Sequence, residues 1–157
     1  SEAELRNRLP LRERSGVVPE CLVAHGRVSH ARSMELVRQA DFSVFLRQEN
    51  RVSTNGFPTK FVESMALGTP VITNITGDLA THLIDGATGF ICPEPTLAAL
   101  DVALSRAITL DADSRRVMRH AARAEAIRAF GYKEYVSGLG DLIERSRSKL
   151  NVIRTTK

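Results

Sequence analysis

The stretch from Asn55 to Ile72 most narrows what this chain can fold into. It reads as a tight glycine turn at Gly56, a short helix, a glycine stop at Gly68 and a buried strand from Val71. Pro58 suits the first helical position, because its missing N–H would be unpaired there anyway. Phe57 before it offers no side-chain oxygen as a cap, so the N–H groups of the first turn need another acceptor. An anion would serve, drawn by the positive end of the helix dipole and by Lys60. Neighbours on a helix surface lie three or four residues apart, which puts Glu63 near the face carrying Thr59 and Lys60. A phosphate-attracting turn with a carboxylate behind it fits a phosphate-and-sugar ligand.

Strands and helices alternate along the rest of the chain. The charged residues 1–15 read as the end of a helix. Cys21 to His25 is a short apolar strand, and a helix follows from His30 to Gln39 with Ser29 as its N-cap. Phe42 to Leu46 is a near-continuous apolar run, as expected of a strand buried on both faces. The helix from Pro58 to Leu67 stops at Gly68, Val71 to Thr73 is a strand, and Asp78 to Ile84 is a short helix before a strand at Phe90–Ile91. The last third reads as three helices, Pro95–Ala107, Ala112–Phe130 and Lys133–Leu150. This order predicts an α/β fold with a doubly wound parallel sheet and C-terminal helices. The expected organisation is one domain over 1–150 and a tail over 151–157. In such sheets ligands bind beyond the carboxyl ends of the strands, where Arg27–Val28, Arg47–Phe57 and Asn74–Gly77 form three converging loops.

Composition removes several alternatives. At 157 residues the chain can bury one real core, and no apolar run approaches the ~20 residues of a membrane helix. Cys21 and Cys92 show neither metal-ligand spacing nor a disulfide framework, so two buried free thiols in a reducing, cytoplasmic compartment are expected. The net charge is +4, with basic residues gathered at Arg6, Arg8, Arg12 and Arg14 and again from Arg115 onward. No zinc-finger or RNA-binding motif accompanies them, so nucleic acid is not an expected partner. Solvated helix faces, or a surface drawn to anionic lipid or glycan, account for that charge.

The motifs resemble those of the group 1 glycosyltransferases, the retaining family 4 with the GT-B fold. Gly56-Phe57, Glu63-Ser64-Met65-Ala66 and Gly68-Thr69-Pro70-Val71-Ile72 fall in register with that family's donor-binding pattern. Upstream, Val23-Ala24-His25-Gly26-Arg27-Val28 resembles its strand ending in Gly-x-Val, and Ala40-Asp41-Phe42-Ser43-Val44-Phe45-Leu46 its next strand. Downstream, Ile84-Asp85-Gly86-Ala87-Thr88-Gly89-Phe90 resembles its Asp-Gly-x-x-Gly turn. The match runs over about residues 20–140, and four motifs in the right order make it specific.

The resemblance implies roles. Glu63 would accept hydrogen bonds from ribose hydroxyls, and Lys60 with the amides of Thr59 and Phe61 would hold a phosphate or an acidic sugar. Asn55, Gly56 and Phe57 would line the sugar pocket, Gly56 because backbone must approach closely there; for Phe57, core packing is an equal reading. Arg27 and Val28 would lie near the nucleobase. Arg47 would reach the diphosphate, or else pair with Glu49 or Asp41. Gly77 would open the acceptor side, while His25 and His82, with no evident partner acid, read as structural. Two positions depart from the family pattern. Asn55 replaces its first glutamate, leaving an uncharged amide, and Pro58 replaces its second glycine.

By the same resemblance the substrates are a nucleotide sugar and a glycan or lipid-linked acceptor, with no cofactor and no metal. Polysaccharide assembly in the cytoplasm, with peripheral contact at the inner membrane face, is the expected setting. An opening Gly-rich segment and an N-terminal acceptor domain would complete the enzyme, so the chain by itself is expected to be inert. The competing reading is a non-catalytic α/β module that binds a nucleotide or a partner. Neither an epimerase pattern nor a phosphorylase cofactor lysine is present.

Overall fold

A computed structural model describes residues 21–155. The chain divides into two units, Ser1–Leu36 and Val37–Lys157. In the first, no strand forms over Cys21–His25, against the expectation, and Cys21 is exposed rather than buried. Helix α1 (His30–Gln39) begins in this unit as its sequence predicts. The Ser29 hydroxyl accepts the Arg32 amide at 3.2 Å and the Ser29 carbonyl accepts the Ser33 amide at 2.9 Å, the bonding of an N-cap. The helix expected to end within 1–15, with its arginines, lies outside the described residues.

The second unit holds a three-stranded parallel sheet in the order β1 (Ser43–Val44), β2 (Val71–Asn74), β3 (Gly89–Cys92). Ser43 pairs with Val71, and Val71 in turn with Gly89. Helices α2 (Arg51–Asn55) and α3 (Thr59–Ala66) connect β1 to β2, and a 3-10 turn (Gly77–Thr81) leads towards β3. Helices α4 (Leu97–Ile108), α5 (Ala112–Phe130) and α6 (Lys133–Thr155) follow.

Successive strand residues point to opposite faces, and β2 shows the consequence. Val71 packs with Phe61, Met65, Leu79, Leu83, Ala122 and Ala126, beneath α3 and α5. Ile72 packs with Phe90, Cys92, Ala103, Ala107 and Met118, beneath α4 and α5. Helices therefore cover both faces of the sheet, as expected of a doubly wound α/β fold. Each fully buried large side chain contributes about 1.5–3 kcal/mol of transfer free energy, and Phe61, Met65 and Ile72 are at 0% exposure.

Some boundaries differ from the sequence reading. Strand β1 is shorter than 42–46, and Val44 is half exposed because β1 is an edge strand among the described residues. The helix expected over Asp78–Ile84 is only a 3-10 turn, which ends at Thr81. Helix α6 continues past 150 to Thr155, so the expected tail is helical in part. No described helix is long and apolar enough to cross a membrane.

Candidate functional site

Helix α3 joins the core to the carboxyl edge of the sheet. Its middle is anchored by the buried Phe61 and Met65. Its far end is closed by Gly68 at φ 72°, a left-handed conformation that glycine adopts without a Cβ penalty. There the Thr69 amide donates to the Ser64 carbonyl and the Gly68 amide to the Met65 carbonyl, both at 2.9 Å, which is the Schellman arrangement. The Arg123 guanidinium also donates to the Ala66 carbonyl at 2.6 Å.

The near end is unfinished. Pro58 is the N-cap, with φ −75° and ψ 112°, rather than the first helical residue, and no side chain caps the helix. The Phe61 amide is already taken by the Pro58 carbonyl at 3.0 Å, so it is not free for a ligand as the sequence reading supposed. The amides of Thr59 and Lys60 have no protein acceptor among the described residues, and the Lys60 ammonium has no ion-pair partner there. The carboxylate of half-buried Glu63, one turn on, is likewise without a hydrogen bond or salt bridge among them.

A cleft of about 380 Å³ opens at this end, walled by Phe45, Leu46 and Arg47 from the end of β1 and by Phe57, Pro58, Thr59 and Lys60 from the α3 turn. The structure thus brings Arg47, Phe57, Thr59 and Lys60 together. Glu63 sits behind them on α3 and does not wall this cleft. Asn55 ends α2, exposed, and its side-chain amide donates to the Arg51 carbonyl at 2.9 Å. Gly56 is required for a close approach, but to protein: a Cβ there would stand 2.7 Å from the Val52 carbonyl oxygen. Gly77 faces α2 similarly, 2.7 Å from Thr54 O by the same measure. Arg27 and Val28 belong to the first unit, outside any strand.

Arg47 pairs with neither Glu49 nor Asp41; Asp41 meets Arg115 at 3.5 Å instead. The Arg47 backbone is clasped by Asn74, whose side-chain oxygen accepts the Arg47 amide at 2.8 Å and whose NH₂ donates to the Arg47 carbonyl at 2.9 Å. Its guanidinium donates to the Gly56 carbonyl at 3.1 Å and to the Thr76 hydroxyl at 3.0 Å. One arginine therefore ties together the three segments that meet at the carboxyl edge.

Sequence reasoning missed two elements. Helix α2 is nucleated by a capping box. The Asn50 side chain accepts the Val52 and Ser53 amides, and the Ser53 hydroxyl accepts the Asn50 amide at 2.9 Å. The Asn-x-x-Ser spacing was its signal. His82 does have an acid partner: its Nδ1 lies 2.9 Å from Glu125 Oε1, 43 residues away. Arg128 grips the same carboxylate through Nε at 2.9 Å and Nη2 at 2.6 Å. Hydrogen bonding from Arg128 is the main cause that holds Glu125 below the usual carboxylate range. Desolvation opposes it, and His82 assists. Only folding reveals so distant a pair.

The sequence pattern described as glycosyl transferases group 1 matches residues 18–125. Among solved structures, this chain is similar to the sucrose-phosphate synthase from Thermosynechococcus elongatus, with a TM-score of 0.53 and 27% identity. That similarity covers 59% of this chain and 23% of the other, so the matched region is about a quarter of the synthase. No curated protein matches the chain.

Proposed function

Since the chain belongs to the group 1 glycosyl transferases, we propose that its second unit binds a nucleotide-diphosphate sugar for transfer to a glycan or lipid-linked acceptor. One observation carries this reading: the α3 N-terminus is uncapped, with the free Thr59 and Lys60 amides and the Lys60 ammonium beside a cleft. Backbone donors, the helix dipole and a nearby cation all favour phosphate at that spot. In this reading Thr59 and Lys60 take the diphosphate, Phe57 walls the sugar side, and Glu63 accepts ribose hydroxyls. Asn55 supplies an amide in place of a second carboxylate.

The chemistry follows from charge. The bond from the anomeric carbon to the donor phosphate breaks, the acceptor hydroxyl oxygen takes its place as its proton passes to the departing phosphate or to water, and negative charge grows on the departing diphosphate. Donors already aimed at that position stabilise the charge without reorganising. We assign retention at the anomeric carbon, an independence of metal, and a setting in polysaccharide assembly at the cytoplasmic membrane face on the strength of the family resemblance. Because the solved relative is far longer than the matched region, transfer itself is assigned to the whole enzyme.

A ligand-observed NMR screen with UDP-glucose, GDP-mannose and ADP-glucose tests the reading, with Lys60→Ala and Glu63→Ala as controls. Saturation transfer to one of them, lost in both variants, is the expected result. Binding indifferent to both substitutions would remove the site from α3. Binding without transfer in the whole enzyme would favour a non-catalytic module, consistent with an amide at Asn55.

A further inference from the structure

Phe57 walls the cleft together with Lys60, and it is not held by backbone geometry alone. Its ring stands edge-on to His82, with centroids 5.7 Å apart and planes at 77°, and 5.3 Å from Phe130. His82 packs on Phe130 in turn at 4.7 Å. An imidazole is a costly choice for such a site, since a polar ring leaving water must keep a hydrogen bond. A phenylalanine would fill the space without that demand. The bond that His82 keeps is with Glu125, and both side chains are under one-fifth exposed. Arg128 fixes the carboxylate from the solvent side. The His82 ring is therefore oriented through Glu125 from α5, and through that ring so is Phe57. On its other flank the same turn is held by Arg47 through the Gly56 carbonyl.

We propose that His82 is a positioning residue for the cleft: oriented by Glu125, it sets the Phe57 ring and with it the turn from Gly56 to Lys60. The proposal rests on the donor reading for its effect on ligand, but not for its effect on the turn. In this arrangement α5, which does not wall the cleft, governs its aperture. The bond and the ring are both needed, which separates the role from simple core filling.

The test uses three substitutions that each remove one part. His82→Phe keeps a ring and loses the bond, His82→Gln keeps a hydrogen-bonding group and loses the ring, and Glu125→Leu removes the partner that orients the ring. Amide 1H–15N spectra of Gly56, Phe57, Thr59 and Lys60 report the turn. Titration with UDP-glucose, GDP-mannose and ADP-glucose reports the cleft. All three variants should shift these amides while those of α4 stay in place. Each should weaken the responding nucleotide sugar about tenfold, the scale of coupling between neighbouring side chains. Adding Phe57→Leu to His82→Phe should then cost little more. Unmoved turn amides in Glu125→Leu, which removes the partner of His82 and leaves the ring stack in place, would overturn the proposal. So would an unchanged affinity accompanied only by a lower melting temperature. If the unsubstituted chain binds none of the three sugars, the donor reading fails, and the amide shifts alone decide the positioning role.

Discussion

The two ends of α3 face the same physical problem and solve it differently. Each end of a helix leaves unpaired backbone groups. At the carboxyl end every device is present: a left-handed Gly68, two Schellman hydrogen bonds and the Arg123 guanidinium on Ala66. At the amino end Pro58 offers no side-chain cap, and the amides of Thr59 and Lys60 stand open beside a lysine. Eight residues separate a terminus completed by protein from one left to be completed by something else. The contrast teaches where to look for ligand, because a helix end without a partner in the fold is an affinity held in reserve.

Four measurements would break or sharpen this contrast. The largest effect should come from the point both ends share. Phe61→Ala removes a fully buried ring from the middle of α3 and should cost about 3–5 kcal/mol in urea denaturation. A loss near that of a surface change would mean that α3 is not anchored as described. Next, Gly68→Ala puts a Cβ on a backbone at φ 72° and should cost about 1–2 kcal/mol. Equal stability would show that the closed end can relax.

Acid should weaken the closed part of the molecule more gradually. Asp85 and Glu125 both hold their protons less tightly than in the unfolded chain. At Asp85 desolvation works to raise the pKa but is outweighed by hydrogen bonds from Arg106 and the Ile91 amide. A carboxylate with a lowered folded pKa contributes stability in full above its unfolded value, and loses it as pH falls through the folded one. The urea midpoint should therefore hold from neutrality to about pH 5 and decline below about pH 4. Glu125→Gln should flatten part of that decline. Smallest in stability is Lys60→Ala, since an exposed side chain with no partner should change the melt by less than about 0.5 kcal/mol. A large loss there would mean that the open end is structural after all, and the contrast would fail.

Local pattern carried much of this architecture in plain view. Helices His30–Gln39 and Ala112–Phe130 begin and end where their caps and periodicity place them. The strand–helix order gives the sheet its parallel sense. The uncapped start and glycine stop of α3 are legible because their signals are local: a proline, a missing cap and a glycine. What stayed hidden is long-range. That Asn74 clasps Arg47, that Glu125 reaches His82 and that Thr76 meets the Arg47 guanidinium depends on which strand ends become neighbours. Local pattern offers the Phe61 amide to a ligand, and the fold gives it to the Pro58 carbonyl instead. The strand expected at Cys21–His25 is more apolar in sequence than β2, yet lacks its pairing. Composition states that a segment can be a strand, and only a partner makes it one.

The clasp at Asn74 has one more consequence. A carboxamide carries the same donor and acceptor as a peptide unit, and here it meets the peptide of Arg47 with both. The side chain thus writes one additional rung onto the β1–β2 ladder in a dialect the backbone understands. That rung is polar in sequence: it needs oxygen on one branch and nitrogen on the other. Exchanging a single NH₂ for oxygen, as in Asn74→Asp, preserves shape and volume while setting a carboxylate against the Arg47 carbonyl. The identity of one atom, buried beneath the rim, thereby decides whether the guanidinium above it is aimed.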